Sequence, residues 1–192
     1  MYEGFMLQTQ DLTASFKATS LPYRGSQALI VQIVLLASAV GLPVLAHSIG
    51  APVRLLIPMH WPVILAGMLY GWRAGAITGI FAPLLSYLLS GYPLPNILPS
   101  MTAELFVYGF TTGILRQRFN LNAFASIGIS ILIGRIVFIV FVVITNRASI
   151  SDIAYFQTAL GPGLVAAVLQ ILSLPFLSQW LVQRYHKSNT HV

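Results

Sequence analysis

Three ionisable side chains sit inside long apolar runs of this 192-residue chain: His60, Glu104 and Arg135. In hydrocarbon, an ionisable group is costly unless it is paired, hydrated or turned into a cavity. Glu104 falls about six residues into the run that starts at Leu98, roughly 9 Å deep at 1.5 Å per residue. Arg135 lies about eleven residues from the end of the run closing at Asn146, roughly 16 Å deep. His60 is framed by Pro58-Met59-His60-Trp61-Pro62 near the start of another run. Two chemistries fit these residues. All three could point into one cavity and contact a polar ligand. Alternatively, Glu104 and Arg135 could neutralise each other as a buried pair that fixes helix packing, with His60 a packing residue.

A second group is aromatic and polar: Trp61, Tyr87, Tyr92, Asn96, Tyr108, Tyr155 and Gln157. Taken singly, Tyr and Trp near an interface are headgroup anchors. Tyr92 and Asn96 stand apart, because their Gly- and Pro-rich loop, Gly91-Tyr92-Pro93-Leu94-Pro95-Asn96, runs directly into the helix that carries Glu104. An aromatic face there would stack on a planar ring, and an amide would read its polar edge.

Enzyme chemistry has no foothold. The sequence lacks a His-Glu-x-x-His pair, a Gly-x-Ser-x-Gly elbow and a Gly-rich phosphate loop with lysine. It has no cysteine for a thiolate or disulfide, and only four carboxylates, of which Glu3 and Asp11 lie in the first dozen residues. These absences predict no catalytic residues, no metal site and no cofactor. Without an ATP-binding motif, active transport would have to draw on a partner or an ion gradient.

The elements that must position these groups are membrane helices. Hydrophobic residues make up 57% of the chain and charged ones 7%, with a mean hydropathy of +0.82. A soluble domain carries roughly a quarter charged residues, so this surface requires lipid as its solvent. Six apolar segments separate: Ser26 to His47, Val53 to Tyr70, Ala74 to Ser90, Leu98 to Leu115, Asn122 to Asn146 and Thr158 to Gln183. At roughly 20 residues per span plus short loops the apolar sequence allows six spans, although several segments are short or contain proline. The expected fold is an all-α bundle of six transmembrane helices (residues 26–185), with tails at 1–25 and 186–192. Phe5 to Phe16 reads as a short amphipathic helix, and no cleavable signal is expected at the N-terminus. Pro43, Pro62, Pro83 and Pro175 would kink or break their segments; membrane helices tolerate this where neighbours satisfy the freed backbone groups.

Charge sets the orientation. Lys17, Arg24, Arg73, Arg116, Arg118, Arg184 and Lys187 fall on one side of a six-span layout, and Arg54 and Arg147 on the other. The positive-inside rule then places both termini in the cytoplasm, with the loops near Gly50, Tyr92 and Ser151 outside. The net charge of +6 therefore reports topology rather than nucleic-acid binding. The outward loops are longer than the inward turns, as expected where a ligand arrives from outside.

Small residues recur at four-residue spacing. Ala37 and Gly41 do so in the first segment, and Gly71, Gly75 and Gly79 around the third. Such spacing lets helices approach closely in lipid. Internal packing accounts for the glycine series, while Ala37 and Gly41 are the candidates for docking a partner.

The stretch Pro58-Met59-His60-Trp61-Pro62-Val63-Ile64-Leu65-Ala66-Gly67, followed by Gly71, Gly75 and Gly79, resembles the substrate-binding S components of energy-coupling factor (ECF) transporters. Gly91-Tyr92-Pro93, Pro99-x-Met101 and Glu104-Leu105-x-x-Tyr108-Gly109 extend the resemblance, which is best over residues 53–115. It implies a multi-pass protein of a prokaryotic cytoplasmic membrane. Such a protein captures a vitamin or related micronutrient from outside, then joins a transmembrane coupling subunit and two ATPase subunits and topples to release its cargo inward. It also implies a ligand in the outer half among the last three helices, under the loop joining the first two. Glu104, Arg135, His60, Tyr92, Asn96 and Tyr108 are the residues expected there. Family members carry Ala-x-x-x-Ala in the first helix for coupling-subunit contact; here the nearest match is Ala37-x-x-x-Gly41. Two rival readings stand beside this one. The first is a self-sufficient secondary transporter with Glu104 coupling to protons, and the second is a ligand-free membrane scaffold.

Overall fold

The computed structural model describes Leu21 and residues 25–189, and all of its regular structure is helical. The segment from Phe5 to Phe16 lies outside the described residues. Seven helices follow in order: α1 (Ser26–Ser48), α2 (Val53–Leu56), α3 (His60–Tyr70), α4 (Trp72–Ser90), α5 (Leu98–Gln117), α6 (Ala123–Ile144) and α7 (Ile153–Asn189). Four of them, α1, α4, α6 and α7, are long and apolar enough to cross a membrane. Their outward faces carry exposed Leu, Ile, Val and Phe, including Ile30 and Ile33 on α1, Leu132 and Ile136 on α6, and Leu164 and Phe176 on α7. Such faces suit lipid, and the chain is a multi-pass membrane protein with an all-α bundle fold.

The segment expected as one helix from Val53 to Tyr70 is instead two. The single turn of α2 ends at Ile57, whose φ of 43° is left-handed, and Pro58 follows before α3 starts at His60. A residue before proline is driven out of the α region by the ring, so the break falls here. Pro62, by contrast, sits in the first turn of α3, where the missing N–H has no intrahelical partner to lose. At 11 residues, α3 spans roughly half of a 30 Å hydrocarbon core. Apart from Trp61, every residue of α3 is buried, as expected of a helix enclosed by α1, α4, α5 and α7.

The last helix is also longer than its apolar core. It begins at Ile153 rather than near Thr158, so part of the loop expected from Arg147 to Gln157 is helical. Asp152 explains the early start, since its Oδ1 accepts from the Tyr155 N–H at 3.1 Å, as an N-cap does. Asn122 does the same for α6, accepting from Ala125 N–H at 2.8 Å.

Glycines join α3, α4 and α5 into one tight layer. Gly75 and Gly109 face each other so closely that a Cβ on either would strike the other's backbone carbonyl. Gly79 meets the backbone at Leu105, Gly113 meets Trp72, and Gly67 meets Gly109. The series read from the sequence in α4 therefore has an answering pair, Gly109 and Gly113, one helical turn apart on α5. Gly71 makes the sharp α3–α4 corner at φ 82°, with the Gln117 side chain packed over it. Polar contacts reinforce the layer: Gln32 of α1 donates to Ala74 O (3.1 Å) and Thr78 Oγ1 (2.6 Å) of α4, and Thr112 of α5 donates to Ser130 of α6 (2.7 Å).

Candidate functional site

The four deepest candidates converge where α3, α5, α6 and α7 meet. Glu104 and Tyr108 stand one turn apart on α5, facing α6 and α3, and both are buried. Glu104 Oε1 accepts twice, from Arg135 Nη1 at 3.0 Å and from the Tyr108 hydroxyl at 2.8 Å. The ion pair considered from the sequence is thus formed, and the tyrosine completes it. Charge-assisted contacts of this kind are the strong ones in a dry interior.

His60 occupies the first position of α3, with its ring centroid 5.2 Å from that of Tyr108 and its residue surface 3% exposed. Neither ring nitrogen has a hydrogen-bond partner. A neutral imidazole offers one donor and one acceptor, and burying both unmet is costly. The side chain of Arg135 keeps 19% of its surface open, against 4% for Glu104. Its guanidinium carries five donors, so the face turned away from Glu104 retains N–H groups for another acceptor. The cluster therefore combines a satisfied carboxylate, a guanidinium with spare donors, an aromatic face and an imidazole with unmet polar atoms. Its formal charge sums to about zero with His60 neutral.

Two glycines that the sequence reading passed over shape this cluster. A Cβ at Gly134 would run into the Tyr108 ring, and one at Gly163 would run into the Arg135 guanidinium and Ile57. Their absent side chains are what allow Tyr108 to lie across α6 and Arg135 across α7. The available signals were Gly134 directly before Arg135 and the Gly161-Pro162-Gly163 run.

The other two candidates lie elsewhere. Tyr92 is 62% exposed in the α4–α5 loop, with its ring 6.4 Å from that of His47, and Asn96 is exposed in the same loop. No hydrogen bond or ring contact ties either to the Glu104 cluster. On α1, Ala37 is exposed and nothing lies within 4 Å of a Cβ built at Gly41, so this small-residue pair faces away from the bundle. Among the described residues no group of three or more His, Cys, Asp or Glu could hold a metal ion.

Residues 27–183 match the family model of the ECF transporter, substrate-specific component. The chain belongs to that family. The match spans all seven helices up to the final turns of α7, including every residue of the cluster. No curated protein and no solved structure matches the chain. Membership of the S-component family agrees with a role in substrate capture, and it implies association with coupling and ATPase subunits in general. Within this S component, the α3–α5–α6–α7 junction is, among the described residues, the buried place where opposite charges and unmet polar atoms meet.

Proposed function

We propose that this S component captures a vitamin or related micronutrient from outside the cell and passes it through a coupling subunit powered by two ATPases. The observation that carries this reading is the buried Glu104–Arg135–Tyr108 network beside the unpartnered ring of His60. The two ring nitrogens of His60 make no hydrogen bond within the protein, which leaves one donor and one acceptor for a ligand beside the charged pair. With the cluster near zero net charge, a neutral or zwitterionic ligand fits better than a dianion. Tyr92 and Asn96, exposed on the loop leading into α5, would meet the ligand on entry rather than at the bottom of the site.

This reading takes the bundle as six spans, with α2 and α3 together forming one of them and α5 another. Both termini are then cytoplasmic, which supports a site opening outward. Ala37 and Gly41 form the contact with the coupling subunit, their small side chains admitting a close helix approach. Uptake into vesicles tests the division of labour. Vesicles holding the S component alone should accumulate almost nothing, and adding the coupling and ATPase subunits with ATP should start transport. Uptake by the chain alone, abolished by an uncoupler, would instead establish a proton-coupled secondary transporter.

A further inference from the structure

Two buried glutamines of the bundle are used differently. Gln32 of α1 spends its amide on packing: its Nε2 donates to Ala74 O and Thr78 Oγ1 of α4, although its Oε1 stays unpaired. Gln170 of α7 is 3% exposed, and its Nε2 has no hydrogen-bond partner. That nitrogen carries two N–H donors, and taking them out of water unpaired costs free energy. A leucine would pack at the same position without that cost. The amide of Gln32 therefore ties α1 to α4, whereas the donors of Gln170 remain free.

Residues on either side of Gln170 fix where it lies. Seven residues before it, Gly163 sits against the Arg135 guanidinium and Ile57. Four residues after it, Leu174 lines an apolar groove together with Trp61, Pro62 and Leu65 of α3. Positions 163, 170 and 174 share one face of a helix, so α7 runs past α3 with Gln170 opposite its first turn, where His60 stands. Here α3, α5, α6 and α7 form a ring in which each helix packs on its two neighbours. His60 comes from α3, Glu104 and Tyr108 from α5, and Arg135 from α6; Gln170 is the matching polar residue of α7. Helical side chains lean toward the N-terminus of their own helix, which carries this amide toward Gly163 and the guanidinium. We infer that Gln170 is a further binding residue of the capture site, its amide donating to a carbonyl oxygen or bare ring nitrogen of the bound molecule. This role presupposes capture at the Glu104 cluster. Arg135 and Gln170 then present N–H donors from two helices, which favours a neutral heterocycle with ring carbonyls or ring nitrogens.

Binding and melting, measured on the same purified full chain, test this. The probes are riboflavin, biotin, pyridoxine, nicotinamide, thiamine and pantothenate, each titrated calorimetrically against wild type, Gln170→Leu, Gln32→Leu and Glu104→Gln. Gln170→Leu should bind the compound that wild type binds about tenfold more weakly, the loss of roughly one neutral hydrogen bond. Its melt without ligand should stay at or above that of wild type. Gln32→Leu should do the reverse, lowering the melt and leaving affinity close to wild type. Gln170→Met carries the same expectation should Gln170→Leu fail to fold. Binding weakened by Glu104→Gln but unchanged by Gln170→Leu or Gln170→Met would overturn the role of Gln170 and leave capture at the cluster standing. A ligand-free melt lowered as far as in Gln32→Leu would overturn it too, because the amide would then serve packing. A wild-type chain that binds none of the probes would remove capture itself, and the role of Gln170 with it.

Discussion

Glycine does opposite work in two parts of this bundle. In the α3–α4–α5 layer, Gly67, Gly75, Gly79, Gly109 and Gly113 bring backbone against backbone. At the α5–α6–α7 junction, Gly134 and Gly163 instead leave room for the ring of Tyr108 and the guanidinium of Arg135. The first arrangement makes a rigid slab, because backbone cannot move aside for an added methyl group. The second makes a seat for a functional side chain, whose flexible end could shift at the cost of its alignment. The same residue type therefore signals scaffold in one region and positioning in the other, and the neighbouring atom distinguishes them.

Substitutions separate the two regions by what they damage. The largest effect belongs to the slab. Gly109→Val drives a branched side chain into the Gly75 backbone, so folded protein should be lost from detergent extracts, as judged by size-exclusion profile. A well-folded Gly109→Val protein would mean that the layer is looser than its backbone contacts indicate. Next comes Arg135→Ala, which strips the partner from a buried carboxylate. Breaking such a pair costs about 3–5 kcal/mol, which for a chain of this size should lower the melting temperature by on the order of 10 °C. Ligand binding should fall with it.

Smaller still is Gly163→Ala. The added methyl displaces the guanidinium without removing it, so ligand affinity should drop about tenfold, or about 1.4 kcal/mol, while the melting temperature barely moves. Gly161→Ala is the matched control, since nothing lies within 4 Å of its Cβ. Equal effects at both positions would erase the distinction drawn between seat and scaffold. The smallest effect on the isolated chain is expected from Gly41→Val, whose Cβ position is open. Stability should stay within about 0.5 kcal/mol. A pull-down with the coupling subunit should nevertheless weaken, and an unchanged pull-down would move the docking face elsewhere on the molecule.

Much of this architecture is legible in the sequence. Apolar runs located α1, α4 and α6 to within a few residues, because lipid selects strongly against charge along a span. Burial cost singled out Glu104 and Arg135, and the proline frame singled out His60. What escaped the sequence reading was local. Pro58 excludes Ile57 from helix, and Asp152 caps α7, but both signals were overshadowed by the apolar content around them. Gly134 and Gly163 act through contacts across helices, which one-dimensional spacing does not encode. Tyr92 and Asn96 were grouped with Glu104 because they are near it in sequence; the loop carries them to the exposed surface instead.

Capture by the His60–Glu104–Tyr108–Arg135 cluster is tested most directly by equilibrium binding of a vitamin panel to the purified chain, alone and as Glu104→Gln. One neutral or zwitterionic compound should bind tightly, with affinity reduced roughly ten- to a hundredfold in the variant and the thermal melt of the variant still cooperative. A folded chain that binds nothing across the panel, or binds equally well as Glu104→Gln, would contradict the assignment of this cluster as the capture site.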